Sequence, residues 1–185
     1  MPLIDCTLIK GYASSTRQIL AERITDAACS SIGADPDFVI VTINEVDSDN
    51  YMRGRIQRNP APAPKQADDI VKAFLGAMES RDLSLAQTFL APEFEMTFPG
   101  GVQFKALEEL VAWAKNRYQH ISKTFDAFDV SHHGRDAVVT CHGVLEGIWP
   151  DGSGFSNIRF MDRFTLTKGL ITSQQVWNDL AEVRS

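Results

Sequence analysis

Apolar and polar positions change their period along the chain, and the changes mark its elements. Ile4, Cys6 and Leu8 alternate with Asp5 and Thr7, the pattern of a strand with one face covered, and Gly11 ends it. Ile19, Leu20, Ile24, Ala27, Ala28 and Ile32 then recur at helical spacing. Ser15-Thr16-Arg17-Gln18 ahead of them fits a capping box, and Gly33 is a natural stop. Phe38 to Ile43 is a β-branched apolar run, as expected of a strand buried on both faces. Strand, helix and strand together predict a βαβ unit with parallel strands. One helix on one face of two strands covers too little area to be stable alone. The unit is therefore expected to form a homo-oligomer through its bare face and strand edges.

The strongest break is Asn59-Pro60-Ala61-Pro62-Ala63-Pro64-Lys65. Alternating prolines remove backbone donors and favour an extended spacer of about 20 Å. Residues 1–58, 59–65 and 66–185 accordingly read as a first domain, a linker and a second domain. Beyond the linker, Ile70, Val71, Phe74, Leu75 and Met78 mark a helix, and Leu83 to Leu90 a short second one stopped before Pro92. Phe94 to Phe98 alternates as a strand and turns at Pro99-Gly100-Gly101. Leu107, Leu110, Val111, Ala114 and Tyr118 mark a third helix. Four strands follow, Phe125 to Val130, Ala137 to Trp149, Asn157 to Leu166 and Leu170 to Asn178, with Asp151-Gly152 and Lys168-Gly169 at turns. Three helices and a long antiparallel meander make this half α+β.

The composition adds exclusions. With 44% apolar and 23% charged residues in 185, the chain has the make-up of a globular protein. A net charge of −6 argues against nucleic acid or an anionic membrane as partner. No run approaches the roughly 18 apolar residues of a membrane span, and no secretory signal pattern opens the chain. Cys6, Cys29 and Cys141 lack metal-type spacing and read as reduced thiols of a cytoplasmic protein. No cofactor is implied: neither a metal site, a nucleotide loop nor a nucleophile triad is legible.

The first half contains no histidine. Its groups that titrate near neutrality without a large shift are thiols and the chain amine. With Met1 removed, as the small second residue favours, that amine belongs to Pro2, a secondary amine on a rigid ring ahead of a strand. Burial or a nearby cation would bring it toward neutrality, where a general base works best.

Pro2-Leu3-Ile4-Asp5, Leu8-Ile9-Lys10-Gly11, the helix and then Val39 to Glu45 resemble the 4-oxalocrotonate tautomerase family over residues 2 to about 57. The resemblance implies an α+β subunit that assembles into dimers and trimers of dimers. It also implies that Pro2 shuttles a proton in enol–keto conversions. The family's two carboxylate-clamping arginines fall here at Tyr12 and Ile40, and its pocket aromatic at Tyr51. The base is thus present without the clamp. Tyr12 is a candidate hydrogen-bond donor to an enolate, and Arg53 and Arg55 are candidate replacement cations.

Residues 66–185 resemble the SnoaL-like branch of the nuclear transport factor 2-like superfamily. The resemblance is carried by the Phe94–Gly101 strand and turn, the Gly147–Gly152 turn and the terminal Gly169-Leu170-Ile171 to Trp177-Asn178-Asp179 strand. It implies a cone with a deep apolar pocket, often dimeric through its sheet, used by isomerases, cyclases, epoxide hydrolases and pure binding modules. Asp162 stands out, because Ile158, Phe160, Phe164 and Leu166 place it on the apolar face of its strand. There it is either a neutral donor to an enolate or a carboxylate paired with Arg159, Arg163 or His142. An aspartate base before the Pro-Gly turn is missing; Glu95, Thr97 and Phe98 stand there, which speaks against ketosteroid isomerase activity. His142 and Glu146 share a strand face with Thr140 and are candidate pocket groups. Trp149 is a sheet-packing aromatic or a ligand stacker, and His120, His132 and His133 read as surface residues. Three functions stay open: a tautomerase acting on a carbonyl or enol small molecule, a ligand-binding protein with an inactive assembly domain, and chemistry confined to the cone with Asp162 and His142 as a pair.

Overall fold

The computed structural model describes residues 1–183, and the chain divides into two compact units on either side of the Pro64–Lys65 bond. In the first unit, β1 (Leu3–Ile9) lies parallel to β2 (Ile40–Val46), in register from Leu3 opposite Ile40 to Ile9 opposite Val46. Helix α1 (Ser14–Ile32) connects them. The alternation of β1 is as expected, with Ile4, Cys6 and Leu8 half-buried and Leu3, Asp5 and Thr7 exposed, while Ile9 at its end is half-buried too. Gly33 closes the helix in the left-handed region, φ 66°, and its N–H donates to the Cys29 carbonyl.

Two expectations for this unit need correction. The helix opens two residues earlier than the capping box requires, with Ala13 as its cap and no side-chain cap hydrogen bond, so Ser15 sits inside the first turn. The run Phe38 to Ile43 is not all strand and is not covered on both faces: Phe38 closes a 3-10 turn (Pro36–Phe38) and is 59% exposed, and Ile40, the first residue of β2, is 41% exposed. One chain supplies a single covering layer, and no residue of the first 64 is fully buried. A small hairpin, β3 (Met52–Arg53) with β4 (Ile56–Gln57), was also not foreseen. Gly54 and Arg55, both at positive φ (60° and 64°), form its two-residue turn.

In the second unit, α2 (Ala67–Glu79) buries Ala67, Ile70, Val71, Phe74 and Ala77, one helical stripe. The short α3 (Leu83–Gln87) is capped by the Asp82 carboxylate, which accepts from the Leu85 N–H at 2.9 Å. The next strand, β5 (Leu90–Phe98), runs through Pro92, where a helix stop was expected. After β6 (Val102–Phe104) comes α4 (Leu107–Ala114), which buries Leu107, Leu110 and Ala114 and ends before Tyr118. Four long strands, β7 (His120–His133), β8 (Asp136–Ile148), β9 (Gly154–Thr167) and β10 (Leu170–Asn178), form the antiparallel meander, and α5 (Leu180–Val183) follows. The first of these strands thus opens at His120, five residues before the Phe125 start that the sequence pattern predicts. The six-stranded order is β6-β5-β10-β9-β8-β7, and β5 pairs parallel with β10, so the curved sheet is mixed at that seam. Among the described residues, no helix is long and apolar enough to cross a membrane.

The sheet bends into a cone at register shifts: Phe125/Ala127 in β7, Leu145/Gly147 between β8 and β9, and Ile171/Ser173 in β10. At the first, the backbone of β7 closes over Gly143. A Cβ there would lie 2.0 Å from the Thr124 carbonyl oxygen and 3.0 Å from the Phe125 Cα. Gly143→Ala is therefore expected to destabilise the unit at the upper end of the ~1–3 kcal/mol typical of overpacking. Chemical denaturation of the variant beside the parent measures it; equal midpoints would mean that β7 yields without cost.

Candidate functional site

Pro2 precedes β1 at the head of both parallel strands. It is half-buried, and its carbonyl accepts from the Ile40 N–H at 3.0 Å. Pro2 and Ile40 are thus neighbours. Tyr12 lies beyond the other end of β1, and Tyr51 beyond the end of β2. Seven residues at ~3.3 Å each put about 20 Å between the two ends. One chain does not bring Tyr12 or Tyr51 to Pro2.

The far end is tied by polar contacts. Arg17 donates to the Tyr12 carbonyl at 2.5 Å and pairs with Glu45 at 3.1 Å, and Lys10 pairs with Asp47 at 3.4 Å. Arg53 and Arg55 are exposed on the β3–β4 hairpin. Sequence reading passed over Arg58. Its backbone N–H donates to the Tyr51 carbonyl at 3.4 Å, and its Nε is buried with no hydrogen-bond partner among the described residues. Its position beside the proline run masked it as linker.

In the second unit, Asp162 is fully buried on β9, as its alternation implied. Its partner is Lys123 on β7, through one carboxylate oxygen that also accepts from Gln174 Nε2 at 3.4 Å. The other oxygen, Oδ1, is buried without a partner among the described residues. Arg159, Arg163 and His142 do not pair with it. Period two sends Arg159 and Arg163 to the opposite face of β9, where Arg159 binds Asp179 at 2.7 Å and Arg163 donates to Thr165 and Gln175. Asp162 stands opposite Cys141 in the ladder, so the next residue, His142, also points to the other face. Glu146 is exposed, and its carboxylate accepts from the Ser122 hydroxyl at 3.4 Å.

The Lys123 ammonium also lies 4.5 Å from the Phe160 ring centre. The polar trio Lys123, Asp162 and Gln174 interrupts the core between two apolar groups. On one side lie Phe74, Phe164 and Leu166; on the other Leu145, Phe155, Ile158 and Phe160. This trio can donate from an ammonium and accept at Oδ1 inside a low-dielectric core, where such contacts are strong. Cys141 beside it has its thiol pushed up to about 12, first by burial and then by the negative charge of Asp162. At pH 8 it stays protonated, and a thiol-specific reagent is expected to modify the half-exposed Cys6 and Cys29 but not Cys141 until the unit unfolds. Peptide mapping after labelling reads this directly; rapid Cys141 modification in the folded protein would contradict it.

Trp149 lines a cavity of about 260 Å³ together with Arg117, Tyr118, Leu180 and Ala181. Only Trp149 among these was singled out by sequence. The others come from separate segments with no shared local pattern.

Comparison with known proteins agrees with both resemblances. A family model described as a SnoaL-like domain matches residues 71–174, more than half of the chain. A model described as a tautomerase enzyme matches residues 2–55. A probable tautomerase of Halalkalibacterium halodurans is 29% identical over 51 residues, covering 28% of this chain and 84% of the relative. Among solved structures, an NTF2-like protein of unknown function from Burkholderia pseudomallei is 20% identical with a TM-score of 0.52, covering 63% of this chain and 92% of its own. TerC, co-crystallised with polyporic acid, is 17% identical with a TM-score of 0.53, covering 63% and 93%. The CaMKII hub of S. rosetta is 20% identical with a TM-score of 0.52, covering 65% and 99%. At these identities the three structures share the fold.

Proposed function

The chain belongs to the SnoaL-like domain family, and with a tautomerase-type unit ahead of that domain we propose that it is an isomerase-type enzyme whose base is Pro2. The pairing of the two domains supports an isomerase-type or small-molecule-binding role. The finer reading is that Pro2 moves a proton in an enol–keto or unsaturated carbonyl substrate. The observation that carries it is a half-buried Pro2 at the head of the strand pair in the tautomerase-matched unit. Its base is the free amine, so the reading applies to the chain without Met1. Ile40 beside it offers no charge, which favours a monoacid or a neutral, more apolar substrate.

Tyr12 and Tyr51 lie beyond the far ends of the strands that Pro2 and Ile40 open, and Arg53 and Arg55 sit on the hairpin that follows Tyr51. In this reading they act across a subunit boundary. Exposed Leu3, Phe38, Ile40, Met52 and Ile56 are the apolar surface that assembly would cover. The test is conversion of a simple aryl enolpyruvate to its keto form, in protein shown by mass to begin at Pro2. Saturable turnover is expected; rates at background across aryl and alkyl enols would overturn the reading.

A second reading is favoured by the Lys123–Asp162–Gln174 trio. It places a hydrogen-bonding site, for binding or for proton transfer, in the cone. His142 has no part in it, because that side chain is on the opposite face.

A further inference from the structure

The cavity at Trp149 is built from three stretches: the turn after α4, the residue after β8, and α5. Its one formal charge is Arg117. The guanidinium lies over the Trp113 ring, 4.4 Å from its centre, and Trp113 is itself packed against Phe98 and Phe104 at 5.5 and 5.4 Å. A guanidinium held over an aromatic ring still carries N–H donors that can bind a planar anion. Among the described residues, no carboxylate pairs with Arg117.

Next to it, burial holds the Tyr118 hydroxyl above its ordinary range, while the charges of Arg81 and Arg117 pull the other way. The phenol is therefore neutral at physiological pH and able to donate. The rest of the wall is apolar: Leu180 is buried, and the Trp149 ring is held 4.3 Å from Phe155. A cation and a phenol at one side of an aromatic and aliphatic wall match a ligand with a charged end and a flat apolar body. About 260 Å³ falls just below the ~300–1,000 Å³ usual for ligand sites, which suits one ring rather than a fused system.

We propose that this cavity binds a small single-ring aromatic carboxylate, with Arg117 and Tyr118 holding the carboxylate and Trp149 and Leu180 the ring. The site rests on the cone being a small-molecule module and is independent of Pro2, whose loss would leave binding unchanged. A carboxylate of this kind is also the class of compound an enol-to-keto step on an aryl substrate acts upon.

The experiment titrates the full chain with benzoate and with its neutral counterpart benzyl alcohol, following tryptophan fluorescence and heat. Saturable benzoate binding is expected, with benzyl alcohol at least about 10-fold weaker. Arg117→Gln should lose about 10-fold or more in benzoate affinity, the scale of one charge-assisted contact. Its affinity for benzyl alcohol should hardly change. Trp149→Ala should weaken both. Arg135→Gln, at the opposite end of β8, should leave both as in the parent. Thermal melts confirm that each variant is folded. Equal affinity of the parent for the two probes, or unchanged benzoate binding in folded Arg117→Gln, overturns the proposal.

Discussion

Replacing Lys123 with methionine is expected to lower the stability of the C-terminal unit by about 3–5 kcal/mol, the usual loss when one member of a buried ion pair is removed. Asp162 is fully buried and the Lys123 side chain is only 24% exposed, so solvent does little to screen them. With the ammonium gone, the carboxylate keeps Gln174 Nε2 at 3.4 Å as its only side-chain partner among the described residues, where Oδ1 has none at the outset. For a unit of this size the loss corresponds to roughly 10–20 °C in Tm. Asp162→Leu alone leaves a half-buried ammonium beside Phe160 and should cost less, because a lysine stem can reach water. The double variant Lys123→Met/Asp162→Leu should regain most of the loss, since a well-packed apolar pair often equals a buried ion pair. A thermal and denaturant double-mutant cycle reads all three. A double variant as unstable as Lys123→Met alone would mean that the pair is required for the fold itself.

The second large effect concerns activity. Pro2→Ala should reduce enol-to-keto conversion by about 10²-fold or more, the contribution of a positioned general base. The substitution leaves an amine at the terminus but removes the ring that fixes its direction. Pro2 is held by the Ile40 N–H through its carbonyl, a backbone contact that alanine can also make. The variant is therefore expected to fold and assemble like the parent. A fall in kcat with little change in KM would mark loss of an interaction made in the transition state. A rate within twofold of the parent would remove Pro2 from the mechanism.

Particular residues show how far the sequence could be read. The alternation of Ile4, Cys6 and Leu8 and the αL stop at Gly33 are local signals, and both stand as expected. The run Phe38 to Ile43 was read as a strand with two covered faces, yet Ile40 is 41% exposed in one chain. A single chain supplies no second layer over that face, so the apolar run alone did not show which side would be covered. Asp162 was visible because β9 alternates without interruption around it. Its partner was not, because Lys123 precedes the register shift at Phe125/Ala127, where the period-two pattern of β7 fails. The strand was therefore expected to begin at Phe125, leaving Lys123 outside it. Arg117, Tyr118 and Leu180 gave no signal for a related reason: their cavity is made by segments that meet only in three dimensions.

The distance between Pro2 and the tyrosines changes how the first unit must work. Within one chain, Pro2 and Ile40 stand at one end of the strand pair, and Tyr12 and Tyr51 at the other. Under the proposed reading, Tyr12 and Tyr51 would reach Pro2 from a second copy, and the first unit has no fully buried residue.

The most direct measurement compares two forms of the chain that differ only at the terminus, one beginning at Pro2 and one with a single residue retained ahead of it. In the extended form the Pro2 nitrogen is a tertiary amide whose lone pair is delocalised into the carbonyl and cannot act as a base, while all side chains from Pro2 on are unchanged. The account predicts enol-to-keto turnover in the first form and loss of about 10²-fold or more in the second, with equal thermal stability. Equal turnover in both would contradict the central claim and move the chemistry to the cone.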